Sequence, residues 1–245
     1  MNFYVVIIGT EILNNRREDK HFKFVQAELA KYSHEIFASF IIKDEKELIR
    51  KTYELIKSDP HAILFSFGGI GSTPDDLTRE IAAEIFTSHP LVRHKKFESD
   101  IIERFGEEAY PHRIHMSDLP KDASLLQNPI NNMSGFSLEN RYFFVPGFPN
   151  MAHPMIANAI EKYFATSKEK FRLTLIAHTS ENTLIHIMKL VPSDVELSSL
   201  PMFVNNKAMV ELSLSGYEKT QVDHFFSLFE KELEALGITY SFIDQ

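Results

Sequence analysis

Phe67-Gly68-Gly69-Ile70-Gly71-Ser72-Thr73-Pro74-Asp75-Asp76-Leu77-Thr78 decides how this chain is read. The apolar run from His61 to Phe67 leads into it, and Leu77 to Phe86 follows with apolar residues at helical spacing. The pattern is strand, glycine-rich turn, helix. Three glycines in four positions let the backbone turn sharply and approach a ligand with no side chain between them. The first N–H groups of the following helix point back at the turn, which suits a phosphate or another anion.

The stretch is not a common nucleotide fingerprint. It lacks the Gly-Lys-Ser/Thr end of a P-loop, and Pro74 stands where a dinucleotide pattern needs its third glycine. Asp75 and Asp76 fall where an anion would bind. Two like charges about 4 Å apart repel by ~4 kcal/mol at an effective dielectric of roughly 20. A phosphate there calls for a bridging cation, a protonated carboxyl or an aspartate aimed elsewhere. The same residues also make a helix start, with Thr73 as N-cap, Pro74 at the first position and Asp76 at the third, or with Thr78 as the cap. On these residues alone, capping and a ligand site both stand open.

Working outward, Phe3 to Ile8 is an apolar, β-branched run ending at Gly9, the type of a buried parallel strand. Gly9-Thr10-Glu11-Ile12-Leu13 follows at its C-terminal end, where open α/β sheets bind ligands. Phe22, Val25, Leu29 and Tyr32 mark a helix, Ile36 to Ile42 a strand, and Leu48, Ile49, Thr52, Leu55 and Ile56 a second helix closed by Pro60. This alternation predicts an α/β fold, a doubly wound and mostly parallel sheet with helices on both faces. Asp44 lies after a strand, on the edge shared by Gly9 and Gly68; it also fits an N-cap with Glu47 as capping-box partner. Arg16, Arg17 and Lys20 read as a solvated loop or as contacts to a phosphate. His112 and His115 lie three apart without a third ligand and read as surface histidines.

Gly68 to Thr78 resembles the signature of the molybdopterin-binding (MoaB/MogA-like) fold, in the form found in the N-terminal part of CinA-type competence/damage-inducible proteins. Gly9 to Leu13, Leu119-Pro120 to Asn128, and Val145-Pro146-Gly147-Phe148-Pro149 resemble further parts of that pattern. Two departures stand out. Lys20 and His21 occupy positions where CinA-type proteins carry a small hydroxyl residue and asparagine, and Met151 replaces a glutamate.

The resemblance covers residues 1–165 and implies a three-layer α/β/α domain that binds molybdopterin or a nucleotide, as in molybdenum cofactor biosynthesis. It implies that Asp44 and Asp76 are the functional, catalytic acids. Gly68, Gly69, Gly71, Ser72 and Thr73 are then expected to cradle a phosphate, with Thr10 and Glu11 on the opposite wall and Pro146-Gly147 closing the site. An alternative is a hydrolase, a metal-dependent pyrophosphatase of ADP-ribose-type nucleotides. Glu11, Asp75 and Asp76 would there hold a divalent cation such as Mg, Mn or Co. A third reading is a degenerate scaffold used for oligomerisation.

Composition narrows the partners. The chain has 245 residues, a formal net charge of −8 and no cysteine. The charge argues against nucleic acid and against an anionic membrane surface. The lack of cysteine excludes disulfides, thiolate metal sites and a cysteine nucleophile. No apolar stretch approaches the ~20 residues of a membrane span, and the start reads as a strand rather than a signal peptide, so a cytoplasmic protein is expected. Thr166-Ser167-Lys168-Glu169 reads as a polar hinge. Beyond it, residues 170–245 pattern as a small α+β unit: a strand at Phe171 to Ala177, a helix at Asn182 to Val191, strands at Val195 to Leu200 and Ala208 to Leu214, a helix at Thr220 to Leu236 and a last strand. This order resembles the KH-like middle domain of CinA-type proteins. Acidic residues outnumber basic ones there and no Gly-x-x-Gly clamp exists, so the unit reads as an interaction or dimerisation module of a homo-oligomer rather than an RNA binder. No counterpart of the amidohydrolase domain of full-length CinA-type proteins is present, so nicotinamide-nucleotide deamidation is not expected.

Overall fold

The computed structural model describes residues 1–87, 89–165, 169–205 and 207–243. The chain divides into two compact units, Met1–Ser167 and Lys168–Gln245. The expected hinge falls largely on residues 166–168, outside the described residues.

The first unit is a three-layer α/β/α fold. Its sheet runs β2 (Ile36–Ile42), β1 (Asn2–Ile8), β3 (Ala62–Phe67), β8 (Tyr142–Val145), β7 (Gly135–Leu138), β6 (Ser124–Leu126). The first four strands are parallel, and β7 and β8 form an antiparallel hairpin; a short α1 (Thr10–Leu13) follows β1, and β4 (Leu91–Arg93) and β5 (Asp118–Pro120) make a separate two-stranded sheet. Glu139 and Asn140 both take φ near 53°, the two-residue turn that matches strand twist. Parallel strands covered on both faces need unbroken apolar runs, which is why β1 and β3 are buried almost throughout. Alternate residues divide between two cores. Tyr4, Val6, Ile8, Leu64 and Phe144 pack under α3 (Lys46–Lys57), α4 (Thr78–Phe86) and α5 (Lys95–Phe105). Phe3, Val5, Ile7, Phe65, Phe67 and Phe143 pack under α2 (His21–Ala30) and α6 (Pro149–Phe164).

The second unit is a four-stranded antiparallel sheet, ordered β10 (Glu196–Val204), β11 (Lys207–Gly216), β9 (Phe171–Ala177), β12 (Tyr240–Phe242). The helix α8 (Lys219–Ala235) lays Val222, Phe226, Phe229 and Leu233 on Leu175, Val210, Leu212 and Leu214. Two expectations are corrected here. The helix expected over Asn182 to Val191 is reduced to a 3-10 turn, Glu181–Thr183, and a single turn, α7 (Ile185–Met188). The hydroxyls of Thr179 and Thr183 pair at 2.8 Å and hold the tighter turn. The strands β10 and β11 are also longer than expected, and Pro201 sits within β10 because that strand is an edge and needs fewer N–H donors. Among the described residues no helix is long and apolar enough to cross a membrane.

Two histidines lie in the layer between α2, α6 and the sheet. His21 is 3% exposed and stacks on Phe67 with ring centroids 4.3 Å apart, while His153 stacks on Phe24 at 3.8 Å. Burial pushes His21 below its ordinary range. Burial, then the neighbouring His21, pushes His153 from 6.5 to about 4, against the opposing pull of Asp19 and Glu28. Both folded values are depressed, so the unfolded chain binds more protons below pH 6.5 and stability is lost as the pH falls from there towards 4. His153→Phe keeps the stack and removes the titration. The variant should regain on the order of 1 kcal/mol relative to wild type between pH 7 and pH 5 in urea unfolding. An unchanged pH slope would contradict this account of the helix layer.

Candidate functional site

The parallel register carries three loops to one edge of the sheet. Ile7 lies beside Phe67, the Gly9 N–H donates to the Ile42 carbonyl at 3.0 Å, and the Gly68 N–H donates to the Val145 carbonyl at 2.9 Å. The chain runs from β1 to β2 on one side and then crosses back to β3 on the other, so the β1/β3 edge is a switch point of the sheet, where a crevice opens. A cleft of about 520 Å³ occupies it. Its polar lining is Glu11, Arg17, Asp44, Asp75, Asp76 and the loop Gly68 to Thr73, and Pro146 and Gly147 also line it. Its apolar lining includes Phe97, Phe105, Met116, Met133 and Met151, and Arg113 also lines it.

The glycines follow from close approach. Gly68 has φ +101°, and a Cβ there would lie 2.4 Å from the Ile8 carbonyl oxygen. A Cβ on Gly71 would lie 2.5 Å from the Asp76 carboxylate. Asp76 accepts from the Thr73 N–H at 2.8 Å and from its hydroxyl at 2.6 Å, closing a turn onto the loop. The helix start expected at Thr73 is thus corrected: Thr73 to Asp76 is a separate turn, and α4 begins at Thr78. Thr78 does not cap the helix either; its hydroxyl donates to the Gly68 carbonyl at 3.0 Å and its N–H to the Gly69 carbonyl at 3.0 Å. The buried Arg79 guanidinium donates to the carbonyls of Ile70 and Gly71. Among the described residues, nothing in the protein accepts the N–H groups of Gly69, Ile70, Gly71 or Ser72.

Asp44 lines the cleft and is fixed by Thr10. The Thr10 N–H and hydroxyl both donate to its Oδ2 at 2.8 Å, which leaves Oδ1 uncommitted. Two expectations change here. Asp44 is not the cap of α3; Glu45 is, accepting from the N–H groups of Glu47 and Leu48. Thr10 is not in the cleft wall but behind Asp44. Glu11 is in the wall, 3.7 Å from the Arg17 guanidinium.

The expected cation set does not form. Among the described residues no three acidic or imidazole side chains come together as metal ligands, so Glu11, Asp75 and Asp76 do not make a ready divalent site. Of the basic loop, Arg17 reaches the cleft, with its guanidinium 5.8 Å from the Phe148 ring; Arg16 and Lys20 are not among the lining residues. His21 turns under the sheet, its Nε2 3.3 Å from the Gly147 carbonyl oxygen. His112 and His115 are exposed, with His115 Nδ1 2.8 Å from Asp118. The apolar lining of the cleft and the role of Arg79 were not legible in the sequence. The available signal for Arg79 was an arginine amid the apolar positions of α4, where seven of nine residues are buried.

The first unit is thus an α/β domain with a glycine loop and fixed acids at one edge of a mostly parallel sheet. The family model described as a probable molybdopterin binding domain matches residues 4–166, and the chain belongs to that family. A CinA-like protein of Acaryochloris marina is 31% identical over 158 residues, 62% of this chain and 37% of that protein. A putative competence-damage inducible protein of Clostridium perfringens is 23% identical over 242 residues, 95% of this chain and 58% of that protein. The chain therefore spans only 37–58% of the length of these relatives. The solved structure of CinA from Thermoplasma acidophilum, a protein of unknown function, is 23% identical and shares the fold with a TM-score of 0.59, over 66% of this chain and 98% of that one. The resemblance of the Gly68 to Thr78 stretch is thus one of family membership.

The close approach of Gly68 to β1 has a measurable cost. Gly68→Ala meets backbone at Ile8 and a positive φ together, whereas Gly106, with φ +54°, has open space around its missing Cβ. Gly68→Ala should destabilise by about 3 kcal/mol and Gly106→Ala by about 1 kcal/mol in chemical denaturation. Equal losses would show that the loop is free to move off the strand.

Proposed function

We propose that the first unit binds a small molecule bearing a phosphate, of the pterin or nucleotide class, with the phosphate on the glycine loop. The observation that carries this reading is the run of four successive N–H groups, from Gly69 to Ser72, that lines the cleft and has no acceptor among the described residues. Consecutive free amides form an anion-binding concavity. Phe105, Met116, Met133 and Met151 give the cleft an apolar lining against which a flat ring can pack. Ligand sites commonly combine such a wall with a few placed polar groups. Asp44, held by Thr10 with one oxygen uncommitted, is placed to accept a hydrogen bond from a ring N–H or a sugar hydroxyl.

The acids do not forbid an anion. Asp76 is spent on Thr73, so its role in this reading is to shape the loop. A metal-dependent hydrolysis finds less support, because its three proposed ligands do not gather.

Calorimetric titration tests the reading. ADP-ribose and a pterin phosphate are compared with adenosine and the free pterin. At least one phosphate-bearing ligand should bind tenfold or more tightly than its phosphate-free counterpart. No difference would sink the phosphate assignment. Asp76→Asn keeps an acceptor for Thr73 and removes a negative charge beside the loop, so it should tighten that binding about threefold. If the same change abolishes binding, or if ADP-ribose with Mg, Mn or Co yields AMP, Asp76 or the cleft acts in the way the hydrolase reading requires.

A further inference from the structure

Arg79 is 8% exposed, yet no carboxylate takes its hydrogen bonds. Its guanidinium donates to two successive carbonyls, Ile70 and Gly71, and its Nε has no partner among the described residues. Burying a cation is costly, and a methionine or leucine would fill the same space in an otherwise apolar helix face. The arrangement therefore needs a reason beyond packing.

Peptide planarity supplies one. In a trans peptide the carbonyl of one residue and the N–H of the next point in opposite directions. Thr78 draws the Gly68 and Gly69 carbonyls towards the start of α4, and this turns the Gly69 and Ile70 N–H groups away from the helix. Arg79 draws the Ile70 and Gly71 carbonyls the same way, and this turns the Gly71 and Ser72 N–H groups outward. Two adjacent residues thus set all four free amides. A cation behind the carbonyls also polarises the peptides and strengthens their N–H groups as donors. It further sets a positive charge against that of Asp76, whose carboxylate lies over Gly71.

We propose that Arg79 is the positioning residue of the anion loop: it holds the Ile70 and Gly71 carbonyls inward so that the Gly71 and Ser72 amides are presented to the ligand's phosphate. This rests on the phosphate reading of the cleft. The division of labour makes the inference specific. Loss of Arg79 should free residues 71 and 72 and leave Gly69, whose preceding carbonyl is held by the Thr78 hydroxyl, in place.

The test uses the full chain, labelled with 15N, and inorganic pyrophosphate as probe. In wild type, pyrophosphate should shift the amides of Gly69 to Ser72 more than any others. Arg79→Met should weaken pyrophosphate binding tenfold or more. Without ligand, the same variant should lower the backbone order parameters of Gly71 and Ser72 from about 0.85 to below about 0.6 and leave Gly69 unchanged. Arg79→Lys, which keeps the charge but loses the fork, should fall between the two, and it serves alone if Arg79→Met does not fold. Wild-type affinity and rigidity in the folded variants would overturn the role of Arg79 while the phosphate reading stood. Absence of shifts at residues 69–72 in wild type itself would overturn the phosphate reading and this inference with it.

Discussion

The structure depends on how closely the end of β3 approaches the end of β1. Their register places Ile7 beside Phe67, so the chain leaving β3 must pass over the Ile8 carbonyl. Only a residue without Cβ fits, and the positive φ of Gly68 then directs the chain towards α4. Everything at the site follows from that crossing. The Gly68 to Thr73 loop lies beside the Asp44 loop because both leave parallel neighbours of β1, and the Pro146-Gly147 turn arrives from β8 on the far side. Apolar packing on both faces of β1 and β3 holds the three strand ends in register, so the cleft inherits the rigidity of the sheet.

Charge is managed by local partners. Glu11, Asp44, Asp75 and Asp76 all line one cleft, which would oppose an anion if they faced it freely. Two of them are engaged instead: Asp44 takes two bonds from Thr10, and Asp76 takes two from Thr73. Glu11 lies near Arg17. Hydrogen bonds to a carboxylate are each worth roughly 1.5–3 kcal/mol, enough to fix these side chains in one orientation. The backbone amides between them are left as the uncommitted donors.

Much of the fold was legible in the sequence because its signals are local. The runs at Phe3 to Ile8 and His61 to Phe67 are apolar at every position, as strands buried on both faces must be. The glycine stretch announced a turn at a strand end, and the family resemblance implied that Asp44 and Asp76 share one site; both line the cleft. What remained hidden depends on contacts between distant residues. Thr10 looked like cleft lining until its bonds to Asp44 appeared, 34 positions away. Asp44 and Glu45 compete for one cap, and spacing alone does not choose between them. His21, read as a departure from the asparagine of CinA-type proteins, stacks on Phe67. The apolar lining of the cleft gathers from α5, a following 3-10 turn at Arg113–Ser117, the stretch before β7, and α6, segments with no shared motif.

The central claim is that Gly69 to Ser72 form a preset cradle of amides for a phosphate. A crystal structure of the protein soaked in pyrophosphate tests it most directly. The account predicts a phosphoryl group with oxygens about 3 Å from the amide nitrogens of this loop, with the Ile70 and Gly71 carbonyls still turned to Arg79. A phosphoryl group bound elsewhere on the chain, or a loop that flips those carbonyls towards the ligand, would contradict it.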